Sequence, residues 1–369
     1  MRKILYVTTV SSTINVFLEP HIKMLIDKGN EVSIACSLDQ DISKDLINYG
    51  AKLYEIEFSR NPISIENRKA YKQIKELQDK EKFDIVHVHT PVASFVTRLA
   101  LKNEAIKMIY TCHGFHFYKG APLINWIVYY PLERIAAHWT DALVTINSED
   151  LERASKFKLR NSGQVELMHG VGIDPKVYEI SSFDRDGYRK KLGLDKEDFV
   201  LLILAELNKN KNHIQVIKAI EILKDKYSNI KVLCAGKGNL ERELKETVSK
   251  MNLEENIKFI GFRNDIKELL YSCDCVGLFS KREGLGKCLL EGMITGKPLI
   301  ATNTRGPREL IKNEKSGFLV NIGDYNQTAK YIEHIYLNAE KRKELTDNSK
   351  KNVTNYYIDN VLDEVSAFH

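Results

Sequence analysis

The chain has 369 residues, 43% hydrophobic and 28% charged with only 8 prolines, which excludes a disordered tail or low-complexity tract and leaves room for two domains with sizeable cores. Its formal net charge of +5 fits nucleic acid, a membrane surface or a phosphorylated ligand equally well. The basic residues are mixed with acids, as in "KQIKELQDKEKFD", and form no stripe interleaved with aromatics, so no nucleic-acid partner is expected.

In chain order, Met1 is followed at once by "RKILYVTTV", which reads as a buried strand and lacks a signal-peptide cleavage site, so export is not expected. The next turn, "VTTVSSTINVF", has no Gly-x-Gly-x-x-Gly, which argues against a nicotinamide dehydrogenase. A helix through "FLEPHIKMLIDKG" leads to the strands "EVSIAC", "FDIVHVHT", "KMIYTCHG" and "DALVTIN", and this alternation predicts a parallel sheet covered on both faces. His87 and His89 fall two residues apart on one face of a strand. With no third ligand evident, packing or hydrogen bonding is preferred to a metal pair.

No window offers the roughly 18 uninterrupted apolar residues of a membrane span. Residues 121–146, "APLINWIVYYPLERIAAHWTDALVTI", come nearest, but Glu133, Arg134 and His138 exclude a simple span. Trp126, Tyr129, Tyr130 and Trp139 favour a lipid–water boundary, and the competing reading is an amphipathic helix buried on its own domain. The six cysteines, Cys36, Cys112, Cys234, Cys273, Cys275 and Cys288, lie mostly in apolar segments without zinc or disulfide spacing, as in a reducing cytoplasm.

A charged, turn-rich stretch, "GVGIDPKVYEISSFDRDGYRKKLGLDKED", separates this series from a second: "FVLLILAEL", "IKVLCAG", "IKFIGF", "CVGLFS" and "KPLIATN". The expectation is α/β throughout, as two doubly wound Rossmann-like parallel-sheet domains facing a cleft, with ligands beyond the carboxyl ends of the strands. The glycines of "AGKGNLERE" are too closely spaced for a P-loop and mark a phosphate- or base-adjacent turn.

The stretch "SKREGLGKCLLEGMITGKPLIATNTRGPREL" (280–310) is the richest in chemistry. Gly284 and Gly286 let backbone approach a ligand, and the following helix start offers free N–H groups and a positive dipole end, an anion site suited to phosphate. Glu291 is placed to accept from vicinal hydroxyls such as a ribose's, and Glu283 from a sugar beyond the phosphates. Against this, Glu283 would serve equally to stabilise the helix start and Glu291 as a solvated helix residue. The next strand ends at Arg305, Gly306 and Arg308, which narrows the choice toward a site.

These residues resemble the Glu-x7-Glu signature of retaining glycosyltransferases of family 4, of GT-B fold, and the resemblance extends to "HGVGID" and "GFRNDIKELLYSCD". Residues 110–134 are similar to bacterial capsule and exopolysaccharide transferases using undecaprenyl-diphosphate-linked acceptors, within them a capsular transferase of N-acetylated deoxyamino sugars. The resemblance implies an acceptor domain (1–178), a nucleotide-sugar domain (179–350) and a terminal helix (351–369) packing back on the first. It implies donor contacts from Glu206, Asn208, Lys211, Arg263, Glu283, Gly284, Leu285, Gly286, Lys287 and Glu291, with Lys211 neutralising the diphosphate. His113, Glu283 and Lys211 are the implied catalytic residues, His113 beside the donor sugar, and Ser12, Thr13, His116 and Lys119 the implied acceptor contacts. Glu206 stands where the family normally has arginine, and a carboxylate there is repulsive to diphosphate unless Lys209, Arg282 or Lys287 compensates.

The implied function is transfer of a sugar, with retention, from a UDP-sugar to a lipid-linked saccharide at the inner face of the plasma membrane, with peripheral membrane contact and neither cofactor nor metal. The competing readings are a UDP-sugar 2-epimerase of the same fold and a non-catalytic nucleotide-sugar-binding subunit.

Overall fold

The computed structural model describes residues 1–62 and 64–369, which divide into two compact units, Met1–Gly172 with Ile358–His369 and Ile173–Tyr357. The first is built on seven parallel strands, β1 (Lys3–Val10), β2 (Glu31–Ser37), β3 (Lys52–Glu55), β4 (Ile85–His89), β5 (Lys107–Cys112), β6 (Ala142–Thr145) and β7 (Gln164–Leu167), in the order β3-β2-β1-β4-β5-β6-β7. The second has six, β8 (Phe199–Leu204), β9 (Ile230–Ala235), β10 (Ile257–Gly261), β11 (Cys275–Leu278), β12 (Leu299–Thr302) and β13 (Phe318–Val320), in the order β10-β9-β8-β11-β12-β13. In each sheet the order reverses once, between β1 and β4 and between β8 and β11. A crevice for ligands opens at such a point, beyond the strands' carboxyl ends.

The central strands are buried along nearly their whole length because helices cover both faces, so they read as largely apolar runs rather than alternations. One core gathers Val7, Val88, Met108, Tyr110 and Phe117; the other gathers Leu201, Ile203, Val216, Ile220, Val232 and Phe318. All six cysteines are buried and unpaired, and burial pushes the thiols of Cys36, Cys234 and Cys288 up to about 12.

The first boundary falls at 172/173 rather than 178/179. Ile173 bridges to Tyr357 and Tyr178 donates to Glu291, so 173–178 belong with the second sheet. The chain returns to the first unit at Ile358, not at 351: the helix Ala339–Val353 packs on Lys287–Ile294 in the second unit, and only Ile358–Phe368 packs on the first, against Glu19–Asp27.

The helix Leu123–Ala137 has its polarity inverted. Glu133 is buried, with Oε2 2.7 Å from Arg98 Nη2 and Oε1 accepting from Tyr110 OH at 3.2 Å, while Arg98 lies over the Tyr110 ring. Trp126, Tyr129 and Tyr130 are half-buried and pack against the core, as in the second of the two readings of this segment. Leu123, Ile124, Ile127, Val128 and Ile135 are exposed instead, Ile127 at 62%. Among the described residues no helix is long and apolar enough to cross a membrane.

Candidate active site

In the second unit the loops after β8 and β11 meet at the reversal of strand order. The 205–213 loop is shaped by Asn208, whose Oδ1 accepts from the backbone N–H groups of Asn210 and Lys211, both at 3.0 Å. Gly238 and Gly236 pack beneath it: a Cβ on Gly238 would lie 2.3 Å from the Leu207 carbonyl oxygen and one on Gly236 2.0 Å from that of Ala205. The "AGKG" turn thus supports the loop. The two loops are tied together by Lys281 N–H donating to the Asn210 carbonyl at 2.7 Å and by Asn210 Nδ2 donating to the Arg282 carbonyl at 3.0 Å.

This seating brings Lys211 into an ion pair with Glu283, both side chains largely buried. Burial works to lower the Lys211 pKa, but the Glu283 carboxylate, with a smaller push from Glu206, more than reverses it, so the ammonium stays charged. Ser280 Oγ donates to the same Glu283 Oε1 at 2.7 Å, and Ser280's carbonyl accepts from Thr302 Oγ1. Arg305 is buried and donates from Nε to the Glu283 carbonyl at 3.1 Å, while Gly306 lets its helix abut Leu285. Glu206 itself is exposed, as is Lys209.

Gly286 caps the helix Lys287–Ile294 with φ of 111°, a left-handed conformation that only glycine adopts without strain, and a Cβ there would also press on Leu278. The start of this helix carries the positive end of its dipole, and its Leu289 N–H donates to the Gly286 carbonyl at 3.0 Å. One turn on, Glu291 is 8% exposed, which excludes the solvated-helix alternative. Burial raises its pKa, opposed by Tyr178, whose hydroxyl donates to Glu291 Oε1 at 2.8 Å. Lys287 is exposed at the helix start. Arg263 lies on another loop, paired with Asp265 and 3.4 Å from the Tyr188 hydroxyl.

In the first unit, the reversal between β1 and β4 holds a pocket of about 330 Å³ lined by residues including Thr9, Thr13, Arg60, Thr90, His116 and Tyr129. Thr90 has φ of 60°, costly for a β-branched residue, and is held by its Oγ1, which accepts from Thr9 N–H at 3.0 Å. His116 stacks on Tyr129, ring centroids 4.6 Å apart. Of the expected acceptor residues, Thr13 and His116 line this pocket. Ser12 is engaged by Asp39, through Oγ at 2.8 Å and N–H at 2.9 Å, and exposed Lys119 lies outside the lining. His113 lies at the end of β5 with Nε2 3.1 Å from His89 Nδ1, and burial pushes its pKa down to about 4.

Sequence reasoning missed Tyr178, Ser280, Arg60 and Thr90. Tyr178, Arg60 and Thr90 are defined by partners distant in sequence, whereas Ser280 is three residues from Glu283 and carries no distinctive residue type to mark it.

Comparison with known proteins agrees with this architecture. Residues 184–352 match the model "Glycosyl transferases group 1" and residues 3–147 match "Glycosyl transferase 4-like". EpsD of Bacillus subtilis (strain 168), which carries a glycosyltransferase name, is 36% identical over 100% of this chain and 96% of its own length. An Escherichia coli relative named UDP-Gal:alpha-D-GlcNAc-diphosphoundecaprenol alpha-1,3-galactosyltransferase is 27% identical over 82% of this chain and 79% of its own. The crystal structure of Anabaena Alr3699/HepE with UDP and glucose superposes with a TM-score of 0.82 at 19% identity, covering 100% of this chain and 99% of that one. The chain therefore belongs to the group 1 glycosyltransferases, and is an enzyme of GT-B fold.

Proposed function

We propose that this enzyme transfers a sugar, N-acetylated in the reading we favour, from a UDP-sugar to an undecaprenyl-diphosphate-linked saccharide in capsule or exopolysaccharide synthesis, with retention of anomeric configuration. The observation that carries this is the Lys211–Glu283 pair beside a glycine-capped helix start, with the buried Glu291 one turn on. A diphosphate seated on the Lys287–Ile294 N-terminus meets the dipole and Lys211 together. Both side-chain bonds to Glu283 fall on Oε1, leaving Oε2 for the sugar, and Tyr178 holds Glu291 Oε1, leaving Oε2 for ribose hydroxyls. Gly284, Leu285 and Gly286 bring backbone up to the diphosphate, and Lys287 adds charge there. Asn208 acts by shaping the Lys211 loop, and Arg263 contacts the base. His113 contacts the transferred sugar.

In this reading the bond from the anomeric carbon to the diphosphate breaks as that carbon bonds to the acceptor oxygen on the same face. The acceptor's hydroxyl proton passes to the departing phosphate oxygen, so neither enzyme nucleophile nor metal is called for. The E. coli relative's name supports a uridine-diphosphate donor and a diphosphoundecaprenol acceptor. The pocket lined by Thr13 and His116 takes the acceptor saccharide, with Ser12 and Lys119 at its approaches. The exposed face of the Leu123–Ala137 helix, which includes Arg134 and no acidic residue, meets the lipid–water interface on the cytoplasmic side.

The test is UDP release across a panel of UDP-sugars, with lipid-linked acceptor present or omitted and with EDTA throughout. Acceptor-dependent release supports transfer. Release without acceptor indicates epimerisation, and tight UDP binding without turnover indicates a binding subunit.

A further inference from the structure

The first unit holds a file of imidazoles that the reading above uses at one end only, His87 and His89 buried and His113 and His369 half-buried. His87 and His89, side by side on β4, stack with centroids 4.2 Å apart, and the Tyr6 ring packs on both and on His369. His369 Nε2 lies 3.2 Å from His87 Nδ1, and His89 Nδ1 lies 3.1 Å from His113 Nε2.

The partners assign the protons. His369 Nδ1 is 2.9 Å from the Val365 carbonyl, which only accepts, so Nδ1 carries the hydrogen and Nε2 a lone pair. His87 must therefore donate from Nδ1, and its Nε2, 2.7 Å from Thr111 Oγ1, accepts the threonine hydroxyl. His89 Nε2 is buried without a partner among the described residues. An orphaned N–H is the costlier way to leave a buried nitrogen, so Nε2 holds the lone pair and Nδ1 the proton.

We propose that His89 is a positioning residue that donates from Nδ1 to His113 Nε2, fixing His113 as the Nδ1–H tautomer. The nitrogen left to His113's ligand is then a hydrogen-bond donor, suited to a sugar hydroxyl or acetamido oxygen, and His113 does not take the acceptor's proton. This rests on the reading that His113 meets the sugar. A neutral imidazole serving as a donor is an established device for activating or orienting oxygen ligands, and burial keeps both rings neutral, the pKa of each well below the ordinary value.

The experiment is long-range ¹H–¹⁵N correlation of the histidine rings in the intact protein at neutral pH, the His113 signals assigned by their loss in His113→Gln. The expected result is a pyrrole-type shift at His113 Nδ1 and a pyridine-type shift at Nε2. His89→Leu should let both tautomers populate and lower kcat by about tenfold or more, with donor KM little changed. His89→Asn, whose side-chain amide reaches the Nδ1 position, should restore both. A pyrrole-type His113 Nε2, or a ring protonated on both nitrogens, overturns the proposal. If the Nδ1–H tautomer is found but His113→Ala transfers sugar at the parent rate, the ladder stands and the catalytic reading of His113 falls.

Discussion

Gly306→Ala is the sharpest test of how the proposed donor turn is held. The added methyl would stand 2.6 Å from both the backbone N and O of Leu285, where ordinary contact begins at 3.4 Å, so one of the two backbones must give by about 0.8 Å. Neither can yield cheaply. The Leu285 side chain is buried, and Arg305, the neighbour of Gly306, is buried and bonded to the Glu283 carbonyl. Overpacking of this kind costs about 1–3 kcal/mol, a few degrees in melting temperature. Displacing a substrate-positioning turn by about 1 Å costs about 100-fold in rate. The assay is steady-state UDP release at saturating acceptor, with UDP affinity by calorimetry and a thermal melt on the same preparation. We expect kcat/KM to fall about 100-fold and UDP binding to weaken while the fold survives. Parent-rate turnover would show that the turn's position is not set by this contact and would refute the reasoning.

In the proposed site, Lys211→Ala should weaken UDP binding and lower kcat together, since it removes the cation that would face the diphosphate and leaves Glu283 without its ion-pair partner, whereas Glu283→Ala should act mainly on kcat; steady-state kinetics beside calorimetry separates the two. Glu291→Gln should weaken UDP binding by about tenfold or more, the scale of a charged hydrogen bond. Because burial raises the Glu291 pKa, its contribution to stability is present below the ordinary 4.5 and is lost as pH rises through the raised value, so the parent's urea midpoint should fall relative to Glu291→Gln over that rise. His21, His113 and His369 are depressed from 6.5 to about 4, so the stability they contribute is present above 6.5 and lost as pH falls toward 4. Each adds a slope of about 1.4 kcal/mol per pH unit in urea titrations of the first unit, and His369→Asn should flatten it by one proton. Ile127→Glu should reduce sedimentation with anionic vesicles without changing turnover on a short-chain soluble acceptor; unchanged sedimentation would remove the membrane role of that helix.

The two sheets were readable from the chain because their central strands are unbroken apolar runs at the spacing of covered parallel strands. The strands absent from that reading, β3, β7 and β13, are edge strands of four, four and three residues. "KLYE" and "QVEL" have no fully buried residue and so leave no apolar signature. Lys211 and Glu283 were nameable from motif likeness, but their pairing across 72 residues is a product of tertiary structure. The aromatics of the Leu123–Ala137 helix left open whether they face lipid or core: periodicity shows that two faces differ, and the buried Arg98–Glu133 pair decides which one faces inward.

The short helix Ile358–Phe368 also bears on how the protein is made. Its Val361, Val365 and Phe368 complete the interior of the first unit, yet a ribosome delivers them only after all of 173–357. The second unit has its whole sequence in hand sooner, so the half begun first is the one finished last. The usual amino-to-carboxyl order of completion is thereby reversed at its final step, and a released chain truncated after Tyr357 should hold a protease-resistant second unit beside a first unit missing one wall.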